Sequence, residues 1–416
     1  MAGAHRKAAT RRQPLPRAGR FGEPKARGGR DPYFDGLRAL ALVRVVAYHT
    51  FGWPWLGFVF PSMGVMFALA GSLMARSLER PAWSVIRGRL RRLLVPVWVF
   101  GLVLGTAMVL HGWVPGPDAL YWVLPVGDPP GNAWGEQAWA VLWYLRTYLW
   151  FVLLSPVLLR PFSRWPLPVL ALSLVPAVLL GTVWQVPDGR LGSGISDLSV
   201  FLFCWLLGFA HRDGTLDRIR PGRVVVVAAG LMAAGAWWAL THRAGGSYDL
   251  DDIPLAQALW SGGAVALLLR FGRRGADPGR PGRASLGAGT PWPRRDPESS
   301  KKRRGAVPDV DTPTVILRTR PGSGAPATPI RRSPLGRLVR VFNSRAVSIY
   351  LWHEVALMLS VVVIDLMWQV PSLEERLPLG STWFQFVVAW PLIAAAVAVF
   401  GWVEDLAAGR SPRLLP

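Results

Sequence analysis

Ten apolar stretches, separated by short polar segments, run along the chain. They fall at approximately 37–56, 58–78, 93–112, 138–159, 166–184, 195–211, 222–241, 253–271, 346–368 and 382–403. About 20 such residues cross the hydrocarbon of a bilayer. In that medium a helix satisfies every backbone N–H and C=O within its own segment. The pattern therefore predicts an all-α, polytopic integral membrane protein with about ten transmembrane helices. The second and sixth stretches are the shortest or the most interrupted by glycine, and Pro96, Pro156 and Pro176 fall near segment ends or kinks. Residues 272–333 break the pattern. Pro, Gly, Arg and Ser dominate there, with too few apolar side chains to offset the entropy of ordering. The expected organisation is a disordered basic tail (1–32), a membrane block of eight helices (33–271) and a disordered basic loop (272–333). A membrane block of two helices (334–404) and a short tail (405–416) follow.

Charge placement orients these helices. With the N-terminus inside, 42 of the 47 Lys and Arg fall on the cytoplasmic side. Long tails and loops count for little in this rule. When the N-terminal tail and the 270–345 stretch are set aside, the split is still 14 inside against 3 outside. Both termini are expected in the cytoplasm, and the plasma membrane is the expected location. The net charge of +22 is thus a topological signal rather than a nucleic-acid footprint. The 22 Trp and only 17% charged residues, with a mean hydropathy of +0.29, fit a membrane protein with interfacial tryptophans. The basic start has no apolar core of the kind a cleaved signal peptide carries. The single Cys204 allows no disulfide within the chain. No internal repeat stands out, which speaks against a repeat-built transporter. Lys301, Lys302, Arg303 and Arg304 form a cluster suited to anionic lipid headgroups.

Ionisable groups inside apolar helices are costly and mark functional paths. In the first stretch, Arg38 and His49 are eleven residues apart. Eleven steps of 100° return to within about 20° of the starting face, some 16 Å further along the axis. A surface cation and a mid-membrane imidazole then share one stripe. A neutral imidazole can take the proton of an attacking hydroxyl. Arg38, Arg89 and Arg92 are expected at the cytoplasmic mouth, where guanidinium groups bind phosphates or simply anchor the helices. Asp35 either orients Arg38 or caps the first helix. Arg146, inside the fourth stretch, needs an anionic partner, for which Asp197 and Asp365 are candidates. Tyr350 and His353 offer interhelical hydrogen bonds or a catalytic contribution. Arg44 points about 140° from His49 and is expected to pack or snorkel. No P-loop, dinucleotide fingerprint, GxSxG elbow or zinc-type Cys/His spacing occurs, so no metal and no bound cofactor is expected.

Several blocks together resemble a known family. FDGLRALALVRVVAYHT carries an Arg-x10-His motif at Arg38 and His49, MFALAGSLMARSL follows, and RGRLRRLLVP presents Arg89 and Arg92. Further on stand LWYLRTYLWFVLLSP and SRAVSIYLWHEVAL, the latter with Ser348, Tyr350, Leu351, Trp352 and His353. In this order they resemble the membrane acyltransferase-3 family, whose members are integral-membrane O-acyltransferases acting on cell-surface glycans, antibiotics and lipids. Departures occur at Ala70, Ser72 and Val347, which bear on subfamily and acceptor. The resemblance implies an acyl-CoA co-substrate, with acetyl-CoA expected, and transfer to a hydroxyl of a glycan, lipid-linked sugar or glycosylated small molecule. His49 and Arg38 are then the catalytic residues and Arg89 and Arg92 hold the donor. Asp35, Arg146, Tyr350 and His353 are possible supporting residues. The expected partners are acyl-CoA, a carbohydrate or glycolipid acceptor and membrane lipid, with no nucleic acid. Two other readings compete: a non-catalytic transporter or flippase of a lipid-linked or polar solute, and a scaffold whose basic loop binds anionic lipid.

Overall fold

A computed structural model describes residues 31–184, 186–272 and 333–413. Nearly all of the expected basic tail and loop, including Lys301 to Arg304, lies outside them. Among the described residues the regular structure is helical, with no β-strand. The chain begins with α1 (Pro32–Phe51), α2 (Leu56–Val59), α3 (Ser62–Ser77) and α4 (Ala82–Leu110). After a 3-10 turn at Pro117–Trp122 come α5 (Ala133–Trp139), α6 (Leu142–Arg164), α7 (Pro166–Leu172), α8 (Val175–Thr182), α9 (Arg190–Asp213), α10 (Thr215–Arg218) and α11 (Pro221–Thr241). A second 3-10 turn, Leu250–Asp252, leads into α12 (Pro254–Phe271). The last part holds α13 (Pro334–Ser344), α14 (Ala346–Trp368), α15 (Pro371–Glu374), α16 (Thr382–Phe400) and α17 (Trp402–Ala407).

Seven helical spans are long and apolar enough to cross a membrane: Leu56–Ser77, Ala82–Leu110, Leu142–Arg164, Arg190–Asp213, Pro221–Thr241, Ala346–Trp368 and Thr382–Phe400. The other three expected stretches are helical too. They appear as α1, which carries Asp35, Arg38 and Arg44, as the broken pair α7–α8, and as α12. Helix α1 stops at Phe51, short of the expected residue 56, because Gly52 takes a left-handed conformation (φ 60°) and its N–H closes on the Tyr48 carbonyl. The apolar run that seemed to begin at 138 splits into α5 and α6, so its first turn belongs to the preceding segment. At the other end of α1, the side chain of Asp31 accepts from the Tyr33 N–H and Pro32 supplies the first helical φ. The capping role considered for Asp35 thus falls to Asp31.

Close helix contact sets the centre of the bundle. A Cβ on Gly71 of α3 would stand 2.3 Å from the Trp205 carbonyl of α9, and one on Gly208 would stand 2.1 Å from that of Ala68. Glycine alone lets these backbones approach so closely, as small residues do between membrane helices. Phe67, Phe151 and Phe201 pack around this contact with Trp205. In contrast, α11 and α16 have only 22% and 17% of their apolar windows buried. Their faces turn outward, as expected at the lipid-facing edge. Phe51, Trp53, Trp55, Trp383 and Phe386 gather where α1 ends and α16 begins. The segment between α4 and α6 folds inward. Trp122 lies against Phe100 and Gly101, and α5 rests on α14.

Candidate active site

Two contacts fix α1 beside the α13–α14 segment. Near the start of α1, Arg38 donates to Asn343 Oδ1 (3.2 Å), whose amide donates in turn to the Asp35 carbonyl (2.8 Å). Eleven residues on, His49 meets His353 and Glu354. Residue numbers rise together along both partners, so the segments run parallel. Glu354 lies eight residues into α14, about 12 Å along its axis at 1.5 Å per residue. The meeting point is therefore well inside the apolar span. Arg38 and His49 both face the same neighbouring segment, as their spacing predicts.

The cluster itself is compact. His49 Nδ1 lies 3.4 Å from Glu354 Oε2, and the His49 and His353 rings are 5.2 Å apart. His353 and Glu354 are 1% and 7% exposed, whereas the His49 side chain keeps 32% of its surface accessible. The site therefore has a closed floor and one open face. Nδ1 of His353 lies 2.6 Å from the Tyr350 carbonyl, which accepts its proton and leaves Nε2 with the lone pair. The Tyr350 hydroxyl donates to the Val141 carbonyl at the start of α6 (2.9 Å). Gln137 of α5 hydrogen-bonds the Glu354 carboxylate. The inward-folded segment thus closes one side.

A line of tyrosines runs from this cluster toward the arginines. The Tyr350 ring lies 5.6 Å from His353 and 5.1 Å from Tyr144, whose neighbour one turn along α6 is Tyr148. Arg89 donates to the Tyr148 hydroxyl (2.8 Å), the Ser77 hydroxyl (3.1 Å) and the Leu73 carbonyl (3.3 Å). Arg92 is exposed on α4 and stands apart from this line. Arg91 donates to the Leu406 carbonyl of α17.

Arg146 serves elsewhere. It is 2% exposed and held between Asp128 and Asp197. One of the two candidate partners is thus present, while Asp365 is exposed on α14. Asp128 also accepts from Ser193 Oγ, and its carbonyl accepts from Arg190 Nε. This cluster pins the inward-folded segment to α6 and α9.

Arg44 neither snorkels nor packs passively. It is 8% exposed, lies 3.6 Å from Asp251 and sits 4.7 Å over the Tyr48 ring. The Tyr48 hydroxyl donates to Asp249 (2.8 Å). Burial raises the Asp251 carboxyl above its usual range, and Arg44 only partly offsets that. A small cavity beside this pair is lined by Arg44, Ser62, Asp251, Gln257 and Ser261.

Sequence reading missed Glu354, Gln137, Tyr144, Tyr148 and Asn343. Glu354 alone carried a signal, as an acid next to His353 in an apolar helix. Residues 31–277, more than half of the chain, match a family model described as an acyltransferase domain. No curated protein and no solved structure matches the chain. The matched stretch contains Arg38, His49 and Arg89, and with it the chain belongs to the acyltransferase-3 family.

Proposed function

We propose that the protein is an O-acyltransferase of the plasma membrane. In this reading it moves an acyl group, acetyl first among the candidates, from cytosolic acyl-CoA to a hydroxyl of a glycan, lipid-linked sugar or glycosylated small molecule. The observation that carries the reading is His49, set 3.4 Å from a buried carboxylate with one ring face accessible. In this reading Nδ1 carries the ring proton on the side facing Glu354, which leaves the lone pair on Nε2. Nε2 takes the proton as the acceptor oxygen bonds to the thioester carbonyl, and Glu354 stabilises the imidazolium that forms. The carbon–sulfur bond then breaks, the CoA thiolate leaves, and the imidazolium returns the proton to it. Arg38 and Arg89 grip the CoA phosphates at the cytoplasmic mouth, Arg92 contributes charge there, and the tyrosine line leads from that mouth to His49. A topology of ten helices with both ends cytoplasmic gives the donor access from that side. Membership in an acyltransferase family favours this reading over a transporter or scaffold.

The test is acyl-CoA turnover and CoA binding by detergent-purified protein. His49→Ala should lower the rate 10²–10⁴-fold with donor affinity retained. Arg38→Ala should instead raise the apparent donor KM, and Arg38→Lys should restore it only in part, because an ammonium cannot reproduce the guanidinium fork. Wild-type protein that binds no acyl-CoA, together with mutants that still modify the cell surface normally, would refute the proposal.

A further inference from the structure

One donor atom from each of His49, His353 and Glu354 lies within 4.8 Å of the other two. Two of these residues bring buried polar atoms with no hydrogen-bond partner: His353 Nε2, on a residue 1% exposed, and Glu354 Oε2, on one 7% exposed. Such atoms are costly to leave unmatched, so each needs a reason. The hydrogen bond from His353 Nδ1 to the Tyr350 carbonyl presents Nε2 as a fixed lone pair, the arrangement that orients metal-bound imidazoles. The bond from Gln137 orients the carboxylate in the same way.

We propose that His49, His353 and Glu354 form a binding site for a zinc-class divalent ion. Two imidazoles and one carboxylate suit Zn²⁺ rather than Mg²⁺ or Ca²⁺, which take oxygen ligands. Bonds of roughly 2.0–2.2 Å at tetrahedral angles put ligand atoms about 3.3 Å apart. His49 Nδ1 and Glu354 Oε2 already stand at 3.4 Å, and His353 needs a shift on the order of 1 Å. The fourth position faces the accessible side of His49.

The site bears on the acyl-transfer reading, on which the next step rests. As a base, His49 keeps its proton on Nδ1, against Glu354, and uses the lone pair of Nε2. With zinc on Nδ1, the neutral ring must carry its proton on Nε2. The two states exclude one another, so zinc occupancy and acyl transfer compete.

The experiment uses the full chain in detergent, stripped with a chelator and titrated with Zn²⁺ by calorimetry and with Co²⁺ by its visible absorption. We expect one ion per chain, a Co²⁺ spectrum of tetrahedral type, and affinity at least tenfold weaker in His353→Gln and Glu354→Gln. His111→Ala and His242→Ala should bind as wild type does. Absence of binding, or binding unchanged in both site variants, overturns the proposal. His353→Gln keeps a side chain of similar bulk, and a monodisperse elution profile certifies folding before each titration. Zn²⁺ added to a turnover assay should then inhibit in step with occupancy. Inhibition of that kind supports both readings, whereas stoichiometric zinc without inhibition upholds the site and removes His49 as the base.

Discussion

Replacing Arg146 by Met tests whether the buried ion cluster fastens the inward-folded segment. The guanidinium is almost wholly enclosed, with Asp128 on one side and Asp197 on the other, whose side chains are 27% and 24% exposed. Removing one partner of a buried pair costs about 3–5 kcal/mol, because the remaining charge has no compensation. Here two carboxylates are left facing each other, but each is about a quarter solvated, which discounts the penalty. A destabilisation of about 3 kcal/mol is expected, roughly a hundredfold in the unfolding equilibrium. Arg146→Met combined with Asp128→Asn and Asp197→Asn removes the orphaned charges and should recover most of the loss. The assay is denaturant unfolding of purified protein in a fixed detergent, followed by tryptophan fluorescence. Arg146→Met within about 0.5 kcal/mol of wild type would refute the reasoning. So would a triple variant no more stable than the single one. Asp128 lies nine residues before Gln137, which contacts Glu354. The single variant should therefore also lower acyl transfer while leaving CoA binding in place.

Gly208→Ala drives a Cβ into the Ala68 carbonyl and should cost about 1–3 kcal/mol by forcing α3 and α9 apart; Gly105→Ala, with nothing within 4 Å, should unfold no more readily than wild type in the same assay. Burial pulls the Asp405 carboxyl upward, but the bonds it accepts from Arg345 and from the Arg413 N–H outweigh this and hold its pKa below the usual range. Its contribution is thus present above the unfolded value of about 3.9 and lost as pH falls through the lower, folded one. Asp405→Asn should be less stable than wild type at neutral pH, with the gap closing in acid; a gap that does not change with pH contradicts the assignment. Reporter fusions after Arg212 and within residues 285–330 should read cytoplasmic, and those at Asp188 and Ser372 external, with an external reading at 285–330 refuting the orientation.

Much of the architecture was legible because bilayer crossing demands long apolar runs, and seven of the ten runs fall on helices long and apolar enough to cross. Positive charge supplied an expected orientation, which the reporter fusions test. Within α1, helical phase put Arg38 and His49 on one face, and both meet α13–α14. Periodicity says nothing, however, about which helices become neighbours. Glu354 is 305 positions from His49 in the chain, and Gln137 reaches it from a segment that reads as an ordinary connecting loop. The pairing of Arg44 with Asp251 was hidden likewise, since its helical phase gives a direction and no partner. Zinc-type spacing was sought along the sequence, whereas the three potential ligands come from two helices at opposite ends of the chain.

The parallel seating of α1 against α13–α14 makes the site bipartite. One half lies inside the stretch that matches the family, and the other begins beyond residue 277. A polypeptide ending there would carry His49 with no carboxylate beside its ring and Arg38 without Asn343. The family match alone therefore does not mark a complete site, and the residues that complete it belong to α14 and the short amphipathic α13 before it. Polar contacts at Asn343 and at Glu354 mark the register between the two halves. A change in α13 that shifted α14 by a single turn would move the carboxylate by about 5.4 Å and empty the site of its chemistry while leaving every helix intact.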